Sequence, residues 1–223
     1  MNSTKKQNNK AEWIVPALLI VLSLVPVLAG TARLSELASE AKVTPDNARF
    51  FASPLPVVVH IISVSLYSIL GAFQFAPDFR RRNSRWHRFV GKWILVPCGL
   101  AAALSGLWMS QFYSLPKGDG ELLYIFRLIF GSAMLLSIVL GAFAVRRRDY
   151  ARHGEWMMRG YAIGLGAGTQ VFTHVPWLLF FGVPDELTRA LLMAAGWVIN
   201  IIVVEWIILK RRTRRTSTSL VYG

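Results

Sequence analysis

The sequence is poor in charged residues and in cysteine. Only 17% of its 223 residues are charged, whereas about a quarter would be expected in a soluble domain. The single cysteine, Cys98, excludes an internal disulfide framework and the paired-cysteine motifs of redox and zinc proteins. It lies inside an apolar block, where a cysteine usually serves as a small hydrophobic side chain.

The sequence also lacks the short motifs of common enzyme classes. It contains no GxSxG nucleophile motif, no Walker nucleotide-binding sequence and no HExxH zinc motif. No carboxylate lies in the middle of an apolar block, where a proton-coupled transporter usually carries one. These absences argue against a hydrolase or a nucleotide-binding enzyme. Membrane electron transfer remains the enzymatic class to consider.

Long apolar blocks are what the sequence has in abundance. Hydrophobic residues make up 54% of the chain and the mean hydropathy is +0.43. A membrane-spanning helix needs about 20 predominantly apolar residues. Six blocks come close to that length: Trp13–Ala29, Leu55–Ala76, Phe89–Phe112, Leu122–Val145, Trp156–Phe181 and Ala190–Leu209. We therefore predict an all-α, polytopic bundle of six transmembrane helices over residues 12–210, flanked by basic tails at 1–11 and 211–223.

The basic residues predict the orientation of the bundle. With a cytoplasmic N-terminus, the cytoplasmic segments and span ends hold 19 of the 25 lysines and arginines, as the positive-inside rule requires. Both termini are then cytoplasmic, and residues 31–54 form an external connecting segment with a short amphipathic helix. We expect a multi-pass protein of a bacterial cytoplasmic membrane whose basic loops and disordered C-terminal tail contact anionic lipid. Because the net charge of +13 is confined to these loops, no nucleic-acid partner is expected.

This topology gives each of the four histidines a depth. His60 and His174 fall in the outer part of the second and fifth spans. His87 and His153 lie at the cytoplasmic ends of the third and fifth. An ionisable residue inside a membrane marks a candidate functional site, and imidazole is a usual axial ligand of haem iron. The outer pair therefore predicts a b-type haem, with His60 and His174 binding the iron.

Polar neighbours accompany the outer histidines. Tyr67 shares a helical face with His60, and Gln170 shares one with His174. Arg127 begins the fourth span at the same depth and has no acidic residue beside it within a span. It calls for an anion such as a haem propionate, a quinone oxygen or an anionic substrate. The alternative is that Arg127 extends to the outer headgroups.

The inner histidines have two interpretations. Flanking arginines place His87 and His153 at the interface, where headgroup contact or a hydrogen bond to a loop carbonyl would explain them. The second interpretation is that the two inner histidines bind a cofactor at the inner surface. Elsewhere the sequence predicts packing: an Arg159–Glu205 ion pair, a hydrogen bond from Asn200 to a neighbouring helix, and a kink at Pro176.

Small residues on the fifth span predict a helix–helix contact. Gly160, Gly164 and Gly168 form two overlapping GxxxG steps, and such steps let two backbones approach closely.

Two segments resemble a known family. "GAFQFAPDFRRRNSRWHRFVGKW" and "RRRDYARHGEWMMRGYA" are similar to the bacterial predicted membrane proteins that share the domain of unknown function 2306. The resemblance covers about Leu55 to Pro176. It implies the family's membrane fold, and this family has no established activity. The positions that it singles out are His87, Arg88, Gly91, His153, Trp156, Met157 and Arg159, with His60 as a further one.

The layout of the four histidines is also loosely similar to the six-helix diheme cytochrome b proteins that use ascorbate. That family places its ligands on four separate helices, whereas His153 and His174 here flank or share one helix. This departure argues against two haems and leaves room for a single outer haem between the second and fifth spans.

Three hypotheses for function follow from the sequence. The first is a b-type haem or quinone-linked redox protein using the outer histidines and Arg127. The second is a small transporter or permease, which predicts a cavity between the second and fifth spans. The third is a membrane scaffold without a cofactor, which predicts tight packing around His60 and His174.

Overall fold

The apolar blocks fold into helices that pack side by side, and the polar segments between them form short turns. The computed structural model describes residues 3–39 and 41–222, with side chains described for 13–39, 41–77 and 79–213. Helices make up 86% of the chain, and the described residues contain no strand. This confirms the all-α prediction.

Ten α-helices follow one another along the described chain. The first five are α1 (Ser3–Ala38), α2 (Ala48–Ala52), α3 (Pro54–Ala72), α4 (Pro77–Arg82) and α5 (Ser84–Val90). The next five are α6 (Val96–Phe112), α7 (Glu121–Arg146), α8 (Tyr150–Gly164), α9 (Gly166–Phe181) and α10 (Glu186–Tyr222). A single 3-10 turn at Phe73–Phe75 extends α3, and a π-helical turn at Gly91–Leu95 joins α5 to α6.

Five helical segments are long and apolar enough to cross a membrane. They are Trp13–Ala38, Pro54–Phe75, Ser84–Phe112, Glu121–Arg146 and Glu186–Thr213. Their outward faces are apolar: Leu18, Leu136 and Ile202 are each about 60% exposed. A bundle with such faces requires lipid rather than water around it. The chain is therefore a multi-pass membrane protein.

The fifth predicted span is not one helix. The prediction of a continuous helix over Trp156–Phe181 is wrong, because α8 ends at Gly164 and α9 begins at Gly166. The segment IGLGAG concentrates glycine, which has low helix propensity. The interruption falls at Leu165, whereas Pro176 lies inside α9. Neither half alone reaches the length of a membrane span.

The ends of the chain also differ from the predictions. The first helix continues past the predicted end at Ala29 to Ala38, so it enters the predicted external segment, and α2 forms a second, short helix within that segment. The basic C-terminal segment was predicted to be a disordered tail. It instead continues α10 as far as Tyr222.

Close packing in the middle of the bundle centres on Tyr67. Tyr67 is 4% exposed and lies beside three glycines, Gly99, Gly160 and Gly164. A Cβ atom at any of these positions would come within 2.7–3.1 Å of Tyr67 or Ile138. Tyr161 packs beside Tyr67 and donates a hydrogen bond from Oη to the Ser68 carbonyl at 2.6 Å. The predicted packing role of the Gly160 and Gly164 stripe is confirmed.

The two ends of the bundle differ in composition. The basic end holds the triplets Arg80–Arg82 and Arg146–Arg148, with Lys210–Arg212, and an edge-to-face aromatic cluster of Trp13, Phe73, Phe79 and Trp86 closes it. The opposite end, the Asp119 end, holds Arg49, Tyr113, Asp119, Arg127 and Arg189.

Two predicted polar contacts tie the helices together. Arg159 binds Glu205 through two hydrogen bonds, at 2.5 and 2.9 Å. Asn200 donates to the Ala162 carbonyl at 2.9 Å and accepts from the Thr169 hydroxyl at 2.8 Å. Both predictions are confirmed.

Candidate functional site: a cavity that reaches the Asp119 end

A cavity of about 490 Å³ lies between the helices and reaches the Asp119 end. Helices α1, α3, α6, α7 and α9 supply most of its wall, and α10 contributes Trp197. Its polar lining includes Arg49, His60, Ser110, Arg127 and Gln170. The volume falls within the range of about 300–1,000 Å³ that is typical of small-molecule sites.

Arg127 lines the cavity close to its mouth, as its predicted depth indicated. Its Nη2 atom donates to Asp119 Oδ2 at 2.6 Å, and Arg189 Nε donates to Asp119 Oδ1 at 2.6 Å. The Asp119 side chain is fully buried. A loop carboxylate outside the spans therefore supplies an anionic partner that the sequence interpretation did not foresee, and a contact between Arg127 and a bound anion stays a prediction. One carboxylate thus binds two guanidinium groups, and the Glu186 carboxylate lies beside the neighbouring Gly120.

Arg49 adds a second cation to the cavity mouth. It lies on the short helix α2, and its guanidinium carbon stacks 4.6 Å from the centre of the Phe50 ring. Burial lowers the pKa of Arg49, while Asp119 raises it and the neighbouring Arg33 and Arg127 lower it. Within the described residues Arg49 has no ion-pair partner. The sequence interpretation treated its segment as a connector and missed this residue.

His60 lies in the cavity wall, held against α6. Its Nδ1 atom lies 2.9 Å from the Ala102 carbonyl and 3.2 Å from the Ser105 hydroxyl. A carbonyl only accepts, so Nδ1 carries the proton and Nε2 is the basic nitrogen of the neutral ring. This arrangement leaves Nε2 to a cavity ligand.

His174 occupies a different position. Its Nδ1 atom bonds the Gln170 carbonyl of its own helix at 2.9 Å, and its Nε2 atom is buried without a partner in the described structure. Gln170 lines the cavity and donates to the Met193 carbonyl at 3.0 Å, whereas His174 is not part of the cavity wall. The pairing of His60 with His174 around one ligand stays a prediction.

Tyr67 lies outside the cavity wall. It was predicted as a cofactor contact on the His60 face, and its ring fills the space between glycines of α6 and α8 instead. Its packed side chain is part of the core below the cavity, together with Ile138 and Tyr161. The structure therefore gives Tyr67 a packing contact.

The inner histidines lie near each other at the basic end. His153 Nδ1 bonds the Gly141 carbonyl of α7 at 2.8 Å. His87 is close enough to His153 and Arg80 to interact with them electrostatically, and its Nδ1 atom is buried without a partner in the described structure. One of the two interpretations of the inner histidines was a hydrogen bond to a backbone carbonyl, and His153 makes such a bond. The carbonyl belongs to a helix rather than to a loop.

The described residues contain no group of three or more histidine, cysteine or acidic side chains that would hold a metal ion. A haem needs only one or two axial ligands, so this finding does not address it. What the cavity offers is a basic imidazole nitrogen, two guanidinium groups at the mouth and an apolar interior. Such a lining suits a ligand with one polar end.

Asp119 and Trp197 were also missed from the sequence. Asp119 stands between two glycines in the turn just before the span that carries Arg127. An acid at that place is a signal for an ion pair with the span's arginine, although Glu121 two residues later offers the same signal. Trp197 stacks on Phe130 with ring centroids 4.9 Å apart and covers Gly166, a contact that depends on tertiary packing alone.

Comparison with known proteins gives one match. The family model described as predicted membrane protein (DUF2306) matches residues 57–208. No curated protein and no solved structure matches the chain. The matched region contains His60, Arg127, Gln170 and the inner histidines, so most of the cavity wall lies within it. Since the match covers more than half of the sequence, the chain belongs to the DUF2306 family of predicted membrane proteins.

Proposed function

We propose that this protein is a small permease of the bacterial cytoplasmic membrane that binds an amphipathic small molecule in the central cavity. It crosses the membrane six times, with α8 and α9 together forming one interrupted crossing. Both termini are cytoplasmic. The support for this orientation is the concentration of lysine and arginine at the basic end, which the positive-inside rule places against the cytoplasm and its anionic lipids. The cavity then opens toward the outside.

The observation that carries the proposal is the cavity itself. A scaffold would pack tightly around His60, yet His60 borders a space of about 490 Å³. Empty space inside a bundle forfeits contacts between side chains. A cavity of this size with polar groups at one end is therefore the signature of a binding site.

The interrupted crossing supports transport over simple binding. Residues Ile163 to Gly168, which include the interruption at Leu165, line the cavity except for Gly166. Transporters of several folds place discontinuous helices beside their substrate sites, because non-helical backbone is tolerated in a membrane only where protein or a cavity surrounds it.

Cysteine labelling tests this proposal. Ser65 lines the cavity 11 residues into α3, about 16 Å from the start of that helix. Its neighbour Leu66 is 41% exposed on the outer face of the bundle. In a Cys98→Ala background, we expect an impermeant maleimide to label Ser65→Cys in right-side-out spheroplasts. The matched variant Leu66→Cys, which faces lipid, should stay unlabelled.

Each result of that experiment is informative. Labelling of Ser65→Cys from outside supports an outward-opening cavity that admits water. Labelling only in inverted vesicles would reverse the orientation. Protection from both sides would contradict the permease, because no aqueous route would reach the cavity.

A second candidate is a b-type haem or quinone-linked redox protein. The observation that favours it is the orientation of His60 and His174, since each uses Nδ1 to bond a backbone carbonyl and keeps Nε2 free. Carbonyl bonds of this kind orient histidines that bind metals. We expect purified protein, expressed with ample haem, to show a Soret band and sharp reduced α and β bands that are lost in His60→Ala and His174→Ala. A colourless folded protein would exclude the haem.

A further inference from the structure

The charged side chains that line the cavity are two arginines, Arg49 and Arg127, and no acidic side chain is part of its described wall. Arg127 and Arg189 share the single buried carboxylate of Asp119, with both N–O distances at 2.6 Å. Arg49 also lines the cavity and makes no ion pair with the described residues, although Asp119 and Asp46 are close enough to interact with it electrostatically. A cation held beside other cations in a partly buried place is stabilised by an anion. The mouth therefore suits a negatively charged group.

Arg49 is held in place for such a contact. The guanidinium group of Arg49 stacks on the Phe50 ring, 4.6 Å from the ring centre. The guanidinium group of Arg33 lies at the same distance from that ring. Arg33 is neutralised by Glu36 within α1. Stacking on a ring fixes the plane of a guanidinium group while leaving its N–H donors free. Arg49 thus presents unused donors at the mouth.

The cavity becomes apolar below the cations. Arg127 lies six residues into α7, about 9 Å from the start of that helix. The wall deeper in the bundle is formed by Val64, Ala103, Met134 and Ile163. A molecule with its charge at Arg49 and its body among these side chains would lie with its polar end at the membrane surface and its apolar end toward the middle. A lipid of the outer leaflet has this orientation.

We infer that the cavity selects anionic amphiphiles, with the acidic headgroup bound by Arg49 and Arg127 and the hydrocarbon chain in the apolar interior. This inference rests on the proposed function and adds the chemical class of the ligand. Lipid acids are the class, and the carboxylate is the group that is recognised. A neutral molecule of the same length, such as an ester or a quinone, lacks the contact with Arg49.

Trp197 provides a probe inside the cavity wall. Bromine quenches indole fluorescence on contact, so 9,10-dibromostearate bound in the cavity quenches Trp197. The experiment uses the full chain in nanodiscs of neutral lipid at pH 9, where the acid is ionised. The relevant signal is the quenching that disappears in Trp197→Phe, a variant that keeps a ring against Phe130. The methyl ester of the same acid is the uncharged comparison.

We expect the acid to quench Trp197 at about tenfold lower concentration than its ester, a ratio typical of one charge-assisted hydrogen bond. Arg49→Gln should remove this difference, and Arg49→Lys should retain part of it. Lys42→Gln, an exposed cation of the same external segment, is the matched control and should change nothing.

The outcomes separate the inference from the proposed function. Equal quenching by acid and ester would overturn the selection for anions and leave a cavity that binds amphiphiles. No Trp197-dependent quenching by either compound would overturn both. Because the comparison of acid with ester uses the unaltered protein, it decides the inference even where an arginine variant fails to fold.

Discussion

The two ends of the bundle use positive charge differently. At the basic end, arginines are numerous and exposed, and the helices are closed by an aromatic cluster and by the Arg159–Glu205 pair. At the Asp119 end, arginines are few, but three of them surround one buried carboxylate beside a cavity. The proposed orientation rests on the abundant charge of the basic end, whereas the few arginines of the Asp119 end lie beside the cavity.

The histidines follow the same contrast. His153 at the basic end and His60 at the cavity each bond a backbone carbonyl of a neighbouring helix through Nδ1. The second nitrogen of His60 is left to a cavity, whereas the neighbourhood of His153 holds His87 and Arg80. The same anchoring bond therefore serves a ligand site at one end and contacts within the protein at the other.

Removal of the Asp119 carboxylate is expected to have the largest effect. Asp119→Asn leaves the guanidinium groups of Arg127 and Arg189 without their counter-ion in a buried place. Breaking a buried pair in this way costs about 3–5 kcal/mol of folding stability. The measurement is the melting temperature of the detergent-purified protein, with the folded fraction taken from size-exclusion chromatography.

Asp185→Asn is the matched control for this prediction. Asp185 is an exposed acid that accepts a hydrogen bond from the Thr188 N–H at the start of α10, at 2.8 Å. Asparagine caps helices as well as aspartate does, so the melting temperature should be unchanged. Equal losses in the two variants would show that the Asp119 cluster has no special role.

The next effect concerns backbone packing beside the cavity. A Cβ atom at Gly168 would lie 2.1 Å from the carbonyl oxygen of Leu22 on α1, so Gly168→Ala forces two helices apart. Such overpacking costs about 1–3 kcal/mol. At the basic end, a Cβ atom at Gly154 would have no neighbour within 4 Å. Gly154→Ala should therefore raise the folding stability by up to about 1 kcal/mol, because alanine has a higher helix propensity than glycine. Thermal melting of both variants checks the sign, and destabilisation by both would contradict this packing difference.

The sequence predicted the depth of the polar residues in the bundle well, but not which of them lie together at one site. Arg127 and His60 both line the cavity because their depths follow from the regular rise of a helix and from where each span begins. His174 was assigned to the same site through its depth and a face shared with Gln170, but Gln170 lines the cavity and His174 does not. The interruption at Leu165, just before this segment, was not predicted. Glycine-rich sequence permits an interruption without specifying it.

The contact of Asp119 with Arg189 and the position of Arg49 at the cavity were beyond sequence reasoning. Asp119 reaches Arg189 across 70 positions of the chain, and Arg49 reaches the cavity through a segment that has little helical pattern. Contacts of this kind depend on how the segments between the long helices pack against the bundle. By contrast, Arg159 and Glu205 were paired correctly, because both lie near one end of long helices, where depth alone limits the possible partners.

The smallest effect tests whether the loop at the cavity mouth is held as firmly as the basic end. Tyr113 donates a hydrogen bond to the Ser53 carbonyl at 2.5 Å, which fixes the end of α6 against the start of α3. Tyr113→Phe should lower the folding stability by about 1 kcal/mol, the net value of one hydrogen bond.

Burial raises the pKa of Tyr113, while a backbone hydrogen bond with Val57 and the charge of Arg49 lower it. Since the folded-state pKa is the higher one, this stability is fully present below the unfolded value of about 10 and is lost as the pH rises through the folded value.

The expected signature is therefore a difference in pH dependence. Between neutral pH and pH 9 the wild-type protein should melt at a higher temperature than Tyr113→Phe, and the gap should narrow at more alkaline pH. Tyr67 and Tyr161 are present in both proteins and cancel in the comparison. A gap that stays constant through alkaline pH would show that the Tyr113 hydroxyl contributes no proton-linked stability.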